Sequence, residues 1–447
     1  MSSVQQSVAK ELKQLKQAVA FALDEAKRRG ASDAEVSISK QTGISVSTRQ
    51  CEVETLEFNR DGALGIAVYK GQQKGNASTS DLSKEAICRT VQAAVDISEV
   101  TSADPATGLA PKEMMATQIP DLDLFYPTEL DADRFIEMAS ACERHALTHQ
   151  GIRASDGASV NSHYGVRVYG NTHGFVEGFP TSRHSLSCVL IAGESQHMQR
   201  DYAYSVAVDF ADLRDVQAIA DEAAHKTLAR LNSRKINTCH VPVIFDKDVA
   251  GGLLGHFAMA ISGGNLYRRS SFLLDTLGDD LFPKWFSIHE DPWVKKGLGS
   301  SPFDNEGVQT RARDIIHQGQ LQTYLLTSYA ARKMALQPTG HAGGIHNWLV
   351  SDSALTQRDL LKQMGTGLLV TELMGQGVNI VTGDYSRGAA GFWVENGEIA
   401  YPVHEITIAG QLKDIYQNIV AIGNDRDANH AISVGSILVD SMKIAGS

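Results

Sequence analysis

Two stretches in the first half of the chain show the same order of apolar patterns. Apolar residues recur at helical spacing over residues 4–29, with Gly30 as a natural end, and again over residues 83–98, 132–149 and 211–231. Between these predicted helices the pattern alternates in short runs, which indicates antiparallel strands joined at turns such as Arg60-Asp61-Gly62 and Lys70-Gly71. An ancient duplication and two independent α+β layers both explain the recurrence, and we favour independent layers.

A segment without a periodic pattern separates the two stretches. Residues 101–130 contain Pro105, Pro111, Pro120 and Pro127. Because proline disrupts helices and central strands, we predict a linker or a long surface crossing here. A hinge is expected near Arg234-Lys235-Ile236-Asn237, where the pattern changes again.

Strand patterns dominate the second half of the chain. Val241–Phe245 is a fully apolar strand, and the helix after it has Asp246 or Asp248 as its N-cap and Gly263-Gly264 as its end. Glu395-Asn396-Gly397-Glu398 indicates a type I′ hairpin turn. Further strands are predicted at Leu368–Glu372, Val378–Thr382, Gly391–Glu395, Glu398–Tyr401 and Glu405–Ala409.

These patterns predict an α+β fold of two domains. The N-terminal domain, residues 1–235, would contain antiparallel sheets flanked by helices. The C-terminal domain, residues 236–447, would be β-rich with a short Gly-rich helix.

The composition limits the cellular environment and the classes of partner that we expect. The net charge of −11 argues against a nucleic-acid partner, because phosphate binding needs a basic face. The five cysteines are scattered without a CxxC motif, which indicates reduced thiols. The N-terminal region carries no apolar signal segment, and no stretch approaches the ~18 apolar residues that span a bilayer. We therefore expect a cytoplasmic protein with no membrane partner.

His256, in the predicted Gly-rich helix, resembles the first residue of a zinc peptidase motif. Such a helix places a Glu general base directly after the first His and a second His about one turn later. Phe257 occupies the Glu position, and neither Ala260 nor Ile261 can bind a metal. Taken alone, His256 is most simply a packing histidine.

Glycines are unusually frequent on the same helix. Gly251, Gly252 and Gly255 each cost ~1 kcal/mol against Ala in a helix. That cost suggests that another backbone comes close, from a packed strand, a partner chain or a bound peptide.

Other histidines offer weaker candidates. His145 and His149 are four residues apart, but no Glu follows His145, and we expect an exposed helix end rather than a zinc site. His341, His346 and Asn347 lie in a Gly-rich segment that could hold a substrate or ligand, although a connector beside a sheet is the simpler interpretation. The chain has no nucleophile elbow, Walker loop or GxGxxG fingerprint, so no catalytic residue is assigned.

Several blocks of the chain resemble the TldD/TldE (PmbA) family of paired metallopeptidases. They are 254–263, 307–310, 325–333 and 340–347, together with the long block Val381–Ile399. The residues 329–333 and 340–347 look like the TldE (PmbA) branch. In the TldD branch the corresponding helix reads HExxxH, and a later Cys completes the zinc site. Only His256 matches here, since Phe257 and Ile261 replace the Glu and the second His, and no Cys follows Cys239.

The resemblance implies a heterodimer in which a TldD-like protein supplies the zinc. This chain would bind no metal or other cofactor itself, and it would wall a chamber that holds unstructured or leader peptides for cleavage. Two alternatives stay open. One is a free-standing peptidase with a metal held by His341, His346 and His256. The other is a homodimeric peptide-binding scaffold. The chain could also form a homodimer when its partner is absent.

Overall fold

The computed structural model describes residues 3–446, without the side chains of Ser3 and Gln196. The chain combines helices with mainly antiparallel sheets, in which only β7–β12 and β11–β16 pair in parallel among the described residues, so the predicted α+β fold class is confirmed. In the first half the elements are α1 Ser3–Arg28, β1 Asp33–Arg49, β2 Glu52–Lys70, β3 Gln73–Thr79, α2 Lys84–Val100, α3 Ala132–Ala146, β4 Ile152–Asn171, β5 Val176–Ala192, β6 Gln199–Ala207 and α4 Val216–Ala229.

A single six-stranded antiparallel sheet joins both stretches of the first half, in the order β3-β2-β1-β4-β5-β6. The prediction of two independent layers is therefore wrong. The two stretches form one sheet because β1 pairs with β4 from Glu35 to Thr48. The inward residues of β1 pack under both helix pairs: Val36 and Ile38 lie in the core with α1 and α2, whereas Ile44 and Val46 lie in the core with α3.

The predicted turn at Arg60-Asp61-Gly62 is also wrong, because these residues continue β2 and Asp61 pairs with Gln41 of β1. The glycine serves close packing, since a Cβ on Gly62 would lie 2.8 Å from Cγ of Lys40. The turn at Lys70-Gly71 is confirmed, with Gly71 at φ +58°. The shorter predicted strands are thus halves of long ones.

The second half begins at β7 and contains two further sheets. Its elements are β7 Cys239–Phe245, α5 Lys247–Ala260, α6 Gly263–Tyr267, β8 Ile288–Asp291, β9 Arg313–His317, β10 Gln320–Leu321, α7 Ser328–Lys333, β11 Asn347–Val350, α8 Gln357–Met364, β12 Gly367–Met374, β13 Asp384–Glu395, β14 Glu398–Gln411, α9 Leu412–Gln417, β15 Ile419–Ile422, β16 Ile432–Ser433 and β17 Ile437–Ala445. One sheet has the order β14-β13-β12-β7-β17-β15 and closes on itself through β14 and β17. The other has the order β10-β9-β8-β11-β16.

Local predictions in the second half have mixed outcomes. The type I′ turn is confirmed by positive φ at Asn396 (54°) and Gly397 (78°). Residues 378–382 form no strand, and only Val378 makes a bridge, to Tyr385. The helix α5 does not end at Gly263, which begins α6 instead. Packing requires that glycine, because a Cβ there would lie 2.5 Å from Cβ of Ala330.

The proline-containing segment 101–130 has no α-helix or strand, as predicted, but it is partly buried and is attached to α7. Arg332 donates hydrogen bonds to the carbonyls of Ala106 (2.9 Å), Gly108 (3.0 Å) and Leu109. Asp104 accepts from Tyr329 (2.6 Å) and Lys333 (2.9 Å). Residues 329–333, which carry part of the resemblance, therefore attach the linker to the C-terminal half.

The cysteines are all free thiols. Cys142 and Cys188 are fully buried, and the other three are partly exposed. Among residues 3–446, no helix has both the length and the apolar character that a membrane crossing requires.

Candidate functional site

A cleft of about 1270 Å³ lies between the two halves of the chain. One wall is formed by β6, the edge strand of the first sheet, together with α4, and the other by α5 and β12–β14. Tyr202 and Tyr204 line the first wall, and Gly252, Arg387 and Tyr401 line the second. The cleft is lined by aromatic rings, by charged groups and by an exposed glycine, and we therefore take it as the candidate binding site.

Two pairs of opposite charge connect the walls of the cleft. Lys226 of α4 lies 2.6 Å from Asp248 of α5. Arg230 of α4 bridges Asp201 of β6 and Glu372 of β12. Each residue is distant in sequence from its partner across the cleft, so the patterns of the chain gave no sign of these pairs.

The degenerate zinc motif on α5 has one half-buried position, His256, and one position in the core, Phe257. Asp246 is its N-cap, as predicted, and its side chain accepts from the backbone N–H of Asp248 (3.0 Å). His256 is half-buried, and its ring packs edge-on against Tyr385 at 6.1 Å. Phe257 is fully buried against Phe282 (5.1 Å between ring centroids).

The positions of the motif do not fit a zinc ion. Ile261, like Phe257, is fully buried in the main hydrophobic core, and neither hydrocarbon side chain has an atom that can bind a metal. Of the three motif positions only His256 offers a metal donor, it belongs to no three-ligand group among the described residues, and zinc in peptidases takes three protein ligands. The donor set is therefore insufficient, and no catalytic step through zinc is derived for this chain.

The glycines of α5 form a bare face of the helix. A Cβ on Gly252 or Gly255 would meet no atom within 4 Å, and one on Gly251 would meet only the carbonyl oxygen of Ile432, at 4.0 Å. A packed strand, β16, therefore lies near Gly251, but no strand lies over Gly252 or Gly255 among the described residues. Gly252 is exposed in the cleft, so a partner chain or a bound peptide is left as the reason for these glycines.

A polar group beside His256 escaped the sequence analysis. The hydroxyl of Tyr385 and the Nε of Arg387 are buried without a hydrogen-bond partner among the described residues. Burial raises the pKa of Tyr385. Burial, and then the positive charge of Arg387, lower the pKa of His256. That Tyr385 and Arg387 lie on the same face could have been inferred from the block Val381–Ile399, because residues two apart in a strand share a face.

His341 and His346 lie together below the five-stranded sheet, away from solvent. Their ring centroids are 5.7 Å apart. His341 Nε2 lies 2.7 Å from a carboxylate oxygen of Glu290, and its Nδ1 lies 2.7 Å from the hydroxyl of Thr339. His346 lies within hydrogen-bond distance of the carbonyls of Gly299 and Gly340. All four ring nitrogens therefore have partners inside the chain.

The neighbouring Asn347 is likewise engaged within the chain. Its side chain bonds to Gly299 N–H (2.9 Å), the Asp291 carbonyl (2.8 Å) and the Ser300 hydroxyl (2.7 Å). Glu290, which precedes this segment in sequence, is the centre of the group. Burial opposes its ionisation, but hydrogen bonds from His341 and His346 outweigh burial and lower its pKa to about 2.

One group of potential metal ligands forms elsewhere. Among residues 3–446, only His145, His149 and Asp221 place three ligand atoms within 4.8 Å of one another. Asp221 of α4 lies 2.7 Å from His145 and 3.2 Å from His149, at the partly exposed end of α3. The group is apart from the cleft lining, and it does not include His256, His341 or His346.

Comparisons with known proteins cover almost the whole chain. The three domains described as PmbA/TldA metallopeptidase domain 1, central domain and C-terminal domain match residues 34–98, 125–231 and 238–446. The chain is 56% identical to "Metalloprotease PmbA" of Escherichia coli O157:H7, over 97% of this chain and 96% of that protein. It is 54% identical to "Metalloprotease PmbA homolog" of Haemophilus influenzae, over the same shares.

Solved structures of similar fold extend the comparison. A candidate modulator of DNA gyrase from Bacteroides thetaiotaomicron superposes with a TM-score of 0.92 at 27% identity, over 97% of this chain and 99% of that one. TldE from Thermococcus kodakarensis superposes with a TM-score of 0.85 over 96% of this chain and all of that one. Its identity of 19% shows similarity of fold alone.

Proposed function

The chain belongs to the PmbA/TldE metallopeptidase family, and from that premise we propose that it is the non-catalytic subunit of a TldD/TldE-type peptidase. A TldD-like partner holds the zinc and performs hydrolysis. This chain forms part of the chamber and binds the unstructured or leader peptide that is cleaved.

The observation that carries the proposal is the burial of the motif positions. Phe257 and Ile261 are hydrocarbon side chains fully buried in the apolar core, and only His256, which is half-buried, keeps a potential metal donor. A general base and two of the zinc ligands are therefore missing at the place where the TldD branch has them. Catalysis has to come from another subunit.

The cleft supports the binding role. Its volume of about 1270 Å³ accommodates several residues of an extended chain, and the bare glycine face of α5 allows a backbone to approach closely. The edge strand β6 forms one wall, and edge strands bind extended peptides through main-chain hydrogen bonds. We also propose a cytoplasmic location, which the five free thiols support.

The test is hydrolysis of an unstructured peptide by purified subunits. We expect no cleavage by this chain with added zinc, and chelator-sensitive cleavage once a TldD-type partner with intact HExxxH is added. Cleavage by the chain alone, abolished by chelator, would overturn the proposal. Equal cleavage by the partner with and without this chain would remove its role in the complex.

Zinc counting on the co-purified pair gives a second test. We expect one zinc per heterodimer, lost when the first His of the partner's motif is replaced. The count is made on a pair that carries His149→Ala in this chain, so that the group at the end of α3 cannot contribute. Zinc that persists without the partner's motif and is lost on His341→Ala would favour the free-standing peptidase instead.

A further inference from the structure

The guanidinium of Arg387 lies at the cleft without a counter-charge. No acidic side chain among the described residues comes within 4.0 Å of it, and its Nε is buried without a partner. Three acidic residues of the cleft lining are engaged elsewhere, in the pairs Asp201–Arg230, Glu372–Arg230 and Asp248–Lys226. The fourth, Asp246, caps α5 and accepts from the Gln357 amide at 2.7 Å. An unpaired, half-buried cation is costly, and a bound anion would remove that cost.

Two neutral donors lie beside this cation. Tyr385 precedes Arg387 by two residues on β13, so both side chains project from the same face of the strand. Its hydroxyl is buried without a partner, and burial keeps it protonated. His256 contacts the Tyr385 ring and makes no hydrogen bond to a described residue, and its lowered pKa leaves it neutral with one N–H to donate.

We propose that Arg387, Tyr385 and His256 form a subsite that binds a carboxylate group of the peptide in the cleft. A carboxylate accepts up to four hydrogen bonds and matches the fork of a guanidinium, whereas a neutral carbonyl would leave the charge uncompensated. The position that holds zinc in the TldD branch has thus become an anchor for the substrate. The inference rests on the proposed function, because it takes the ligand to be a peptide.

The neighbouring helix face fits such a ligand. Gly252 lies one turn before His256 on α5, and a Cβ on Gly252 or Gly255 would meet no atom within 4 Å, so a peptide main chain can come close to the helix there. Two sources supply the same chemistry: the C-terminal carboxylate of the peptide and the side chain of an Asp or Glu within it.

Fluorescence anisotropy with labelled, unstructured decapeptides tests the subsite on the full chain. Four peptides combine a free or amidated C-terminus with the presence or absence of one internal Glu. We expect Arg387→Gln to weaken binding of a carboxylate-bearing peptide by about tenfold or more, as for a lost hydrogen-bonded ion pair. Binding of the amidated peptide without Glu should change less than about twofold. Whichever single carboxylate restores tight binding to the unmodified chain identifies the source.

Matched variants separate this effect from misfolding. Arg153→Gln removes an arginine outside the cleft lining, which pairs with Glu194 at 2.7 Å, and should leave binding of all four peptides unchanged. Tyr385→Phe removes only the hydroxyl and should weaken the carboxylate-bearing peptides selectively. Equal loss for charged and uncharged peptides, no loss with Arg387→Gln, or no binding by the unmodified chain would overturn the subsite. In each of these cases the heterodimer would still cleave peptide in a chelator-sensitive manner. Failure of the subsite is therefore distinguishable from failure of the proposed function.

Discussion

Lys226 Nζ and Asp248 Oδ2 lie 2.6 Å apart and tie α4 of the first half to α5 of the second, across one end of the cleft. Burial opposes the charge on Lys226, but hydrogen bonds to Asp248 and Glu222 outweigh it and raise the pKa of the lysine. For Asp248, burial is likewise outweighed by Lys226 and Lys247, which lower its pKa. Both groups therefore stay charged, and the pair holds the helix that carries the degenerate motif.

Replacing that lysine should loosen the two halves. We expect Lys226→Met to lower the free energy of unfolding in urea by about 1–3 kcal/mol, since it leaves two carboxylates short of a partner. Lys235→Met is the matched control, because Lys235 and Glu405 are more than half exposed and such pairs contribute under about 1 kcal/mol. Equal effects of the two variants would show that the contact between the halves does not depend on this pair.

The buried Glu290 predicts a dependence of stability on pH. Its folded pKa of about 2 lies below the ordinary value of 4.5, so its contribution is complete above pH 4.5 and is lost as the pH falls toward 2. Glu290→Gln removes the charge that accepts from His341 and Trp348, at 2.7 and 2.9 Å. We expect a loss of about 2–3 kcal/mol of unfolding free energy at pH 7.

The same two proteins should differ less at pH 3, because acid removes the advantage of the carboxylate. The control is Glu398→Gln, whose partner Arg358 is 3.6 Å away and exposed. A difference between wild type and Glu290→Gln that stays constant from pH 7 to pH 3 would contradict the assigned role of the charge.

What could be predicted from the sequence follows the range of the interactions. The helix α5, its cap Asp246 and the turn at Asn396-Gly397 depend on neighbours within a few residues, and the chain encodes them locally. The union of two meanders into one sheet depends on β1 pairing with β4, over one hundred residues later. Strand patterns specify that β1 has an inward face, but not which strand lies beside it.

The site shows the same division. His256 was found because a motif surrounds it, whereas Tyr385 and Arg387 gain their meaning only from lying beside His256. The family resemblance marked their block without assigning a role to any side chain. Helix propensity alone marks Gly252 as costly, yet the open space in front of it could be recognised only in three dimensions.

Gly252 gives a prediction in which stability and binding move in opposite directions. A Cβ at this position meets no atom within 4 Å, so Gly252→Ala should raise the free energy of unfolding by about 0.5–1 kcal/mol through helix propensity. The same methyl group enters the cleft and should weaken binding of an unstructured peptide in the anisotropy assay. Gly264→Ala, outside the cleft lining, should leave peptide binding unchanged. Unaltered affinity with Gly252→Ala would exclude close approach of a peptide to this face.

Introducing the Glu and the second His of the HExxxH motif into this chain should not produce zinc-dependent hydrolysis. Phe257 packs against Phe282, Tyr416 and Trp348 in a core that excludes water. Phe257→Glu, alone or with Ile261→His, would bury polar groups there and should cost more than about 4 kcal/mol of unfolding free energy. Phe257→Leu, which keeps the site apolar, should cost roughly half as much or less. Thermal unfolding and zinc analysis check both variants. A double variant that folds, binds one zinc and cleaves peptide without a partner would show that the core tolerates an active site, and that the loss of catalysis is confined to these two positions.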